Sequence, residues 1–287
     1  MATNAVESPD ASSSPQESDE KAQLNAQLRQ QQRAERRSRW FWRISGYVFF
    51  FGLWQFASSF LVADFIVPPP LAILEKMRDI IVSGEVWVHF GATLSTIAIG
   101  FTVAYVLGAA LGMLIGRSRW WESFFGDWVM ATLTTPGLVF ALLTAMVFGL
   151  GQLGPIVAVI ITSISYVTVN VVEGVKAMPE DLVSMARAYR RSRWQIVRHV
   201  FIPFLAPFFF TAVRYGFSIA WKIATLTEVI VGTAGIGFMM RREFQSFSMT
   251  GFLAWVLLFF AFALFLERVV LQRQMKRVLK WRPEVAK

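Results

Sequence analysis

The sequence predicts an all-α, polytopic membrane protein with about six transmembrane helices. Apolar residues gather in blocks of about twenty, the length an α-helix needs to cross a hydrocarbon core of roughly 30 Å. Hydrophobic residues make up 55% of the 287, with a mean hydropathy of +0.49, whereas a soluble domain lies nearer 45–50% even with glycine counted. Lysine and arginine crowd into alternate connecting segments, which is the asymmetry that orients a membrane protein. There are no cysteines, which excludes a disulfide framework and a thiolate-bound metal. The two histidines, His89 and His199, lie far apart, so no metal site is expected.

Residues 1–36 are Ser, Gln, Glu, Ala and Arg with two prolines and no aromatic, and nothing there buries a core. They are expected to form a disordered cytoplasmic tail, held near the inner leaflet by the basic run from Arg29. No apolar h-region follows a short basic start, so a secretory signal is not expected. A transmembrane domain over 37–280 follows, with spans at about 41–62, 91–116, 128–148, 154–172, 203–231 and 251–271, then a short cytoplasmic tail over 281–287. With the N-terminus inside, the inner segments hold Arg29 to Arg43, Arg117 and Arg119, Lys176 to Arg198, and Arg268 to Lys287; the outer ones hold Lys76, Arg78, Arg241 and Arg242. Both termini are therefore expected in the cytoplasm. The same distribution accounts for the net charge of +9 without nucleic acid.

The first outer loop begins Val67-Pro68-Pro69-Pro70, an extended entry, and Ile73, Leu74, Met77, Ile80 and Ile81 give helical periodicity over 71–82. Trp87 and Phe90 suit an interfacial aromatic belt. Gly149 to Gly154 reads as a tight outer turn; no Gly-Lys-Ser/Thr follows, so it is not a phosphate loop. Thr134-Thr135-Pro136-Gly137 predicts a kink in the third span, since proline withdraws an amide. The fifth span is too long for a straight crossing and carries Arg214, Trp221, Lys222 and Glu228. Arg214, Trp221 and Glu228 are seven apart and share one helix face, with Lys222 beside it. Charges at membrane depth cost roughly 2.5–3.5 kcal/mol each, so these side chains are expected on a bundle interior or watery path, or in an ion pair that holds the bundle.

Between the fourth and fifth spans lies the segment 178–203, MPEDLVSMARAYRRSRWQIVRHVFIP. Pro179, Glu180 and Asp181 open a helix, and Leu182, Met185, Ala186 and Tyr189 form its apolar face. Ser192 and Gln195 make a capping-box pattern for a second short helix with Trp194, Val197 and Phe201. Arg187, Arg190, Arg191, Arg193 and Arg198 make it strongly basic. Docking a partner protein and lying on anionic lipid both fit such a cytoplasmic helix-turn-helix.

These residues resemble the permease subunit of bacterial binding-protein-dependent ABC importers. Ser184, Met185 and Ala186 stand at the Glu-Ala-Ala positions of that family's cytoplasmic motif, Arg190 at its glycine, Val200 at its isoleucine, and Ile202-Pro203 at its Leu-Pro. The stretches Ala186-Arg187, Ser192 to Gln195, Val67 to Pro70, Gly149 to Gly154, Ile219 to Trp221 with Glu228, and Gly235-Ile236-Gly237 resemble the nitrate/sulfonate/taurine/bicarbonate subfamily over about 65–275. The resemblance implies a type I importer permease fold in the bacterial inner membrane, with the loop 173–202 carrying a coupling helix. It implies as partners a cytoplasmic ABC ATPase dimer, a second permease subunit, identical or not, and an external binding protein. The chain itself has no GxxxxGK[ST] sequence, so ATP would be bound by the ATPase; no cofactor and no enzymatic activity are expected of this chain. Leu182, Ser184, Met185, Ala186, Arg187, Tyr189 and Arg190 would meet the ATPase; Arg214, Trp221, Lys222 and Glu228 would line the translocation path. Two cations against one acid suggest a small anion such as a sulfonate, nitrate or taurine; Trp221 and Phe217 keep an aromatic or heterocyclic solute open, and an ATP-independent transporter or channel is the rival class. Two departures stand out, Ser184 for the acid and Arg190 for the glycine that permits a left-handed turn.

Overall fold

A computed structural model describes residues 40–42, 44–61 and 66–266 of the chain. The described residues fall into two units divided between Asp64 and Phe65. In the first, α1 runs over 44–56 and ends in a wide π turn, Ala57–Leu61, within the residues of the expected first span. The expected tails over 1–36 and 281–287 lie outside the described residues, as does the end of the sixth span.

The second unit contains α2 (Pro70–Val82), α3 (Glu85–Arg117), α4 (Arg119–Thr134), α5 (Gly137–Phe148), α6 (Leu153–Lys176), α7 (Glu180–Ala188), α8 (Arg193–Ile196), α9 (Ile202–Val231), α10 (Ile236–Gln245) and α11 (Met249–Phe265). No strand occurs among the described residues, so the all-α fold is as expected. Three helical stretches there are long and apolar enough to cross a membrane: α3, α6 and the run Arg193–Val231. The expected third span is not one kinked rod. It is two helices, α4 and α5, bent by 97° at Thr135-Pro136. Proline supplies no amide there, and the hydroxyls of Thr132, Thr134 and Thr135 donate to Trp128, Met130 and Ala131 carbonyls, which keeps the broken end of α4 satisfied. The second span begins six residues earlier than expected, at Glu85 rather than 91, so Trp87 and Phe90 lie inside α3. The sequence reading missed α10 altogether.

The core is built by α3, α6 and α9. Lipid is as apolar as leucine, so no hydrophobic force drives these helices together, and close packing must do it. On α3, Gly100, Ala104, Gly108, Gly112 and Gly116 recur every four residues. Opposite them on α6 stand Val159, Val167, Val171 and Val175; a Cβ at Gly100, Gly112 or Gly116 would lie within 3.0 Å of one of these valines. Thr168 donates to the Gly108 carbonyl across the same contact. On α9 the buried positions Ala212, Gly216, Ala220 and Ala224 repeat the same spacing. Gly216 receives Phe101 of α3, and Gly174 of α6 receives Phe208 of α9.

α9 continues without interruption from α8 through a π turn, Val197–Phe201. The wide turn falls just before Pro203, which withdraws the amide that would bond the His199 carbonyl. The Thr211 hydroxyl donates to the Pro207 carbonyl at 2.9 Å.

The α3–α6 contact sets a paired prediction. Gly112→Ala puts a Cβ 2.7 Å from Val171 Cβ and 2.8 Å from the Thr168 carbonyl, an overpacking expected to cost about 1–3 kcal/mol. Gly91→Ala on the same helix meets nothing within 4 Å, and gains up to about 1 kcal/mol from helix propensity. Thermal unfolding in detergent should therefore fall for the first and hold or rise for the second; equal shifts would mean the close approach is not made.

Candidate functional site

The segment after α6 folds as its residues demand. Pro179 caps α7 in an extended conformation, and Glu180 and Asp181 occupy the first turn, at the positive end of the helix dipole. At the other end, Arg190 N–H donates to the Arg187 carbonyl at 2.8 Å and Arg191 N–H to the Ala186 carbonyl at 3.2 Å. This is a Schellman closure, whose pivot residue must be left-handed. Arg190 has φ +50°. The left-handed turn expected of a glycine is thus kept with arginine in it, at a cost of roughly 1–2 kcal/mol. Ser192 then caps α8 with the full capping box: its N–H donates to Gln195 Oε1 at 3.0 Å, and Gln195 N–H donates to its Oγ at 3.3 Å.

The two caps leave α7 standing free of the bundle. None of its residues is buried. Leu182, Met185 and Tyr189 are exposed, Met185 to 57% and Tyr189 to 73%; Ala186 is half-buried, and Ser184, Arg187 and Arg190 are exposed. Ala186 and Tyr189 border a groove of about 510 Å³ whose other wall is Gln195, Ile196, His199 and Val200, with Arg191 at its edge. An apolar ridge and groove edged by arginines is a surface that needs a partner.

Arg214, Trp221 and Glu228, expected on one stripe of α9 with Lys222 beside it, are not all brought to one place. Glu228 is fully buried. Its Oε2 accepts from Thr93 Oγ1 at 2.8 Å and from Gly237 N–H at 3.2 Å, and Thr93 Oγ1 in turn accepts from Ile236 N–H at 2.8 Å. His89 Nδ1 accepts from Gly235 N–H at 3.2 Å. Glu228 therefore ties the bend between α9 and α10 to α3. Gly235, at φ +110°, and Gly237 have no room for a Cβ beside it. Arg241 clasps the same bend, donating to the Ile230 and Gly232 carbonyls at 2.6 Å each, where a cation complements the helix C-terminus.

Trp221 also turns inward: it is 5% exposed and stacks on Phe259 of α11 at 5.1 Å. Lys222, one residue round, is exposed, with Tyr215 exposed and Ser218 half-buried at i−7 and i−4 on the same face. Arg214 is half-buried. Trp221 and Lys222 do meet, in a cleft of about 220 Å³ between α9 and α11 that also takes in Phe217, Ser218, Phe259 and Phe260. Tyr215 and Ser218 were missed in the sequence, although their spacing from Lys222 was there to be used.

A family model described as "Binding-protein-dependent transport system inner membrane component" matches residues 104–277. The chain is 25% identical to the taurine transport system permease protein TauC of Escherichia coli K12, over 81% of this chain and 86% of that one. It is 26% identical to the bicarbonate transport system permease protein CmpB of Synechococcus elongatus, over 82% and 88%. It is 29% identical to the riboflavin transport system permease protein RibX of Chloroflexus aurantiacus, over 62% and 66%. Among solved structures, the inward-facing MetNI methionine ABC transporter matches with a TM-score of 0.59 and 17% identity, over 68% of this chain and 98% of that one, a likeness of fold.

The Glu228 knot generates a stability test. Glu228→Gln keeps an oxygen that accepts from Thr93 and Gly237, and the unfolding temperature should stay near that of the parent. Glu228→Leu strands both donors and should cost about 1–3 kcal/mol, and Gly235→Ala should lower the unfolding temperature as well. A leucine variant as stable as the glutamine one would show that the carboxylate ties nothing.

Proposed function

The chain belongs to the family of inner membrane components of binding-protein-dependent transport systems, and from that premise we propose that it is the permease subunit of an ATP-driven importer of a small anionic solute. The observation that carries this reading is the free-standing α7 with its exposed apolar face, Leu182, Met185 and Tyr189. In the proposed mechanism that face seats in a cytoplasmic ATPase. Closing of an ATPase dimer on ATP pushes α7 and α8, and the push enters α9 directly, because Arg193–Val231 is one 39-residue run. Movement of α9 against its counterpart in a second permease subunit would switch the access of a central path between the two sides of the membrane. An external binding protein would deliver the solute. Arg187, Arg190 and Arg191 would orient the seat against acidic groups of the partner.

The path is proposed to run along the outward face of α9, past Tyr215, Ser218 and Lys222, with Arg214 beside it. Lys222 lies nine residues from the end of α9 at Val231, about 14 Å at ~1.5 Å per residue. That is near the middle of a ~30 Å core, where an exposed ammonium belongs to a watery cavity or a protein interface and not to lipid. TauC and CmpB are named for taurine and bicarbonate; both carry an acid group, which fits a cation on the path. Trp221 serves as a wall of that path, and Glu228 holds its far end together.

Two replacements separate the parts of the proposal. Met185→Asp with Ala186→Asp should abolish co-purification of the ATPase while the permease still folds; intact assembly would count against the seat. Lys222→Met and Arg214→Met should cut uptake of an anionic solute at least tenfold in reconstituted vesicles with assembly unchanged; full uptake would remove these cations from the path.

A further inference from the structure

We propose that α2 lies in the outer membrane–water interface and docks on phospholipid, with Leu74 and Ile81 dipped into the acyl chains and Arg78 reaching a lipid phosphate. This surface stands apart from the importer reading and needs no partner protein.

The helix has three faces, each about 100° round from the last at ~3.6 residues per turn. Ile73 and Ile80, seven apart, are buried, on a helix that packs against α3 and α11. Leu74 and Ile81 are the next pair round, and they are exposed to 56% and 43%. Leu71 and Val82, also exposed, widen that second apolar face. Glu75 and Asp79 form the third face, exposed and acidic. A helix on a water-washed surface shows one apolar stripe with polar residues opposite it. Here a second apolar face stands between the buried one and the acids. That is the arrangement of a helix at the rim of a membrane bundle, with protein on one side, acyl chains below and water above.

Place and charge point to lipid as the occupant. α2 follows the expected first span, and only Ser83 and Gly84 separate it from α3, so it sits between two membrane-crossing segments. The elbow into α3 is closed: Ser83 N–H donates to the Asp79 carbonyl at 2.9 Å and Gly84 N–H to the Ile81 carbonyl at 3.2 Å, with Gly84 at φ +80°. The faces of α2 are thereby held in register with the start of α3. Trp87 is exposed there, and its amphipathic ring is of the kind that settles at headgroup level. Arg78 is exposed at the border between the second face and the acids, where its stem can lie along apolar neighbours while the guanidinium forks onto a phosphate. The charges of Glu75, Lys76, Arg78 and Asp79 cancel, so α2 calls for a phosphate and not for a net anionic surface. A soluble partner would leave Leu74 and Ile81 in water whenever it was away, whereas lipid is always present.

The chain has no cysteine, so nitroxide labels placed singly at Leu74→Cys, Ile81→Cys, Glu75→Cys and Asp79→Cys can be read in the full chain in phosphatidylcholine nanodiscs. All four positions are exposed, so the labels leave the packing at Ile73 and Ile80 untouched. Collision with oxygen, which concentrates among acyl chains, is compared with collision with a water-soluble nickel chelate. For a helix sunk about 5–10 Å into the headgroup–acyl boundary, the oxygen-to-nickel ratio should be roughly fivefold higher at 74 and 81 than at 75 and 79. Adding Arg78→Glu should lower the ratio at 74 at least twofold, and Arg78→Lys should keep it. Equal ratios at all four positions would overturn the proposal, as would a ratio at 74 indifferent to the charge at 78. Labels at 74 and 81 shielded from both reagents would assign the face to a covering protein, and shielding that appears only when a soluble external binding protein is added would assign it to that protein; either result would overturn the lipid contact.

Discussion

A charged side chain exposed on a long apolar helix is costly to set against lipid, and that constraint bears on every face of α9. Lys222 is exposed on α9, while Ala220, Ala224 and Thr225 beside it are all buried. One face of α9 is therefore committed to α3 and α6, and the opposite face to water or protein. Small residues at every fourth position on the committed face let the helix approach closely. The opposite face carries the hydroxyls of Tyr215 and Ser218 beside Lys222. The packing of α9 consumes Ala212, Gly216, Ala220 and Ala224 and leaves Tyr215 and Lys222 exposed and Ser218 half-buried.

Both ends of α9 are fixed by polar devices. At the far end, Glu228 and Arg241 knot the bend into α10 onto α3 and onto the last carbonyls of α9. At the near end, the Schellman turn and the capping box set the angle between α7 and α8. The strain at Arg190 is confined to the one left-handed residue of that turn. The chain thus puts hydrogen bonds at the turn between α7 and α8 and close packing along α9.

Much of this was legible in the sequence, and the failures share a cause. The α7 boundaries, its apolar face, the Ser192–Gln195 box and the long fifth span follow from short-range chemistry that neighbours along the chain decide. The heptad Arg214, Trp221 and Glu228 was read as a path lining or as an ion pair holding the bundle, because periodicity says which residues share a face and not which way that face points. The structure turns Trp221 and Glu228 inward, because Gly235 and Gly237 make room for a carboxylate there and Phe259 offers a ring to stack on. The break at Pro136 was visible as a proline, but its 97° size depends on α5 packing against α6 and α9, which no local pattern encodes. α10 was missed because its ties reach across a bend, from Arg241 to the last carbonyls of α9 and from the Gly237 N–H to Glu228.

The most direct measurement exploits the absence of cysteine from the chain. Single replacements Tyr215→Cys, Ser218→Cys and Lys222→Cys, with Val106→Cys on the exposed apolar face of α3 as the reference, can be reacted with a membrane-impermeant thiol reagent in the assembled complex. A water-lined path along α9 requires the first three thiols to react at least tenfold faster than the fourth, and to do so from one side or the other as ATP is supplied. Thiols at 215, 218 and 222 as inert as the one at 106, with and without ATP, would contradict it.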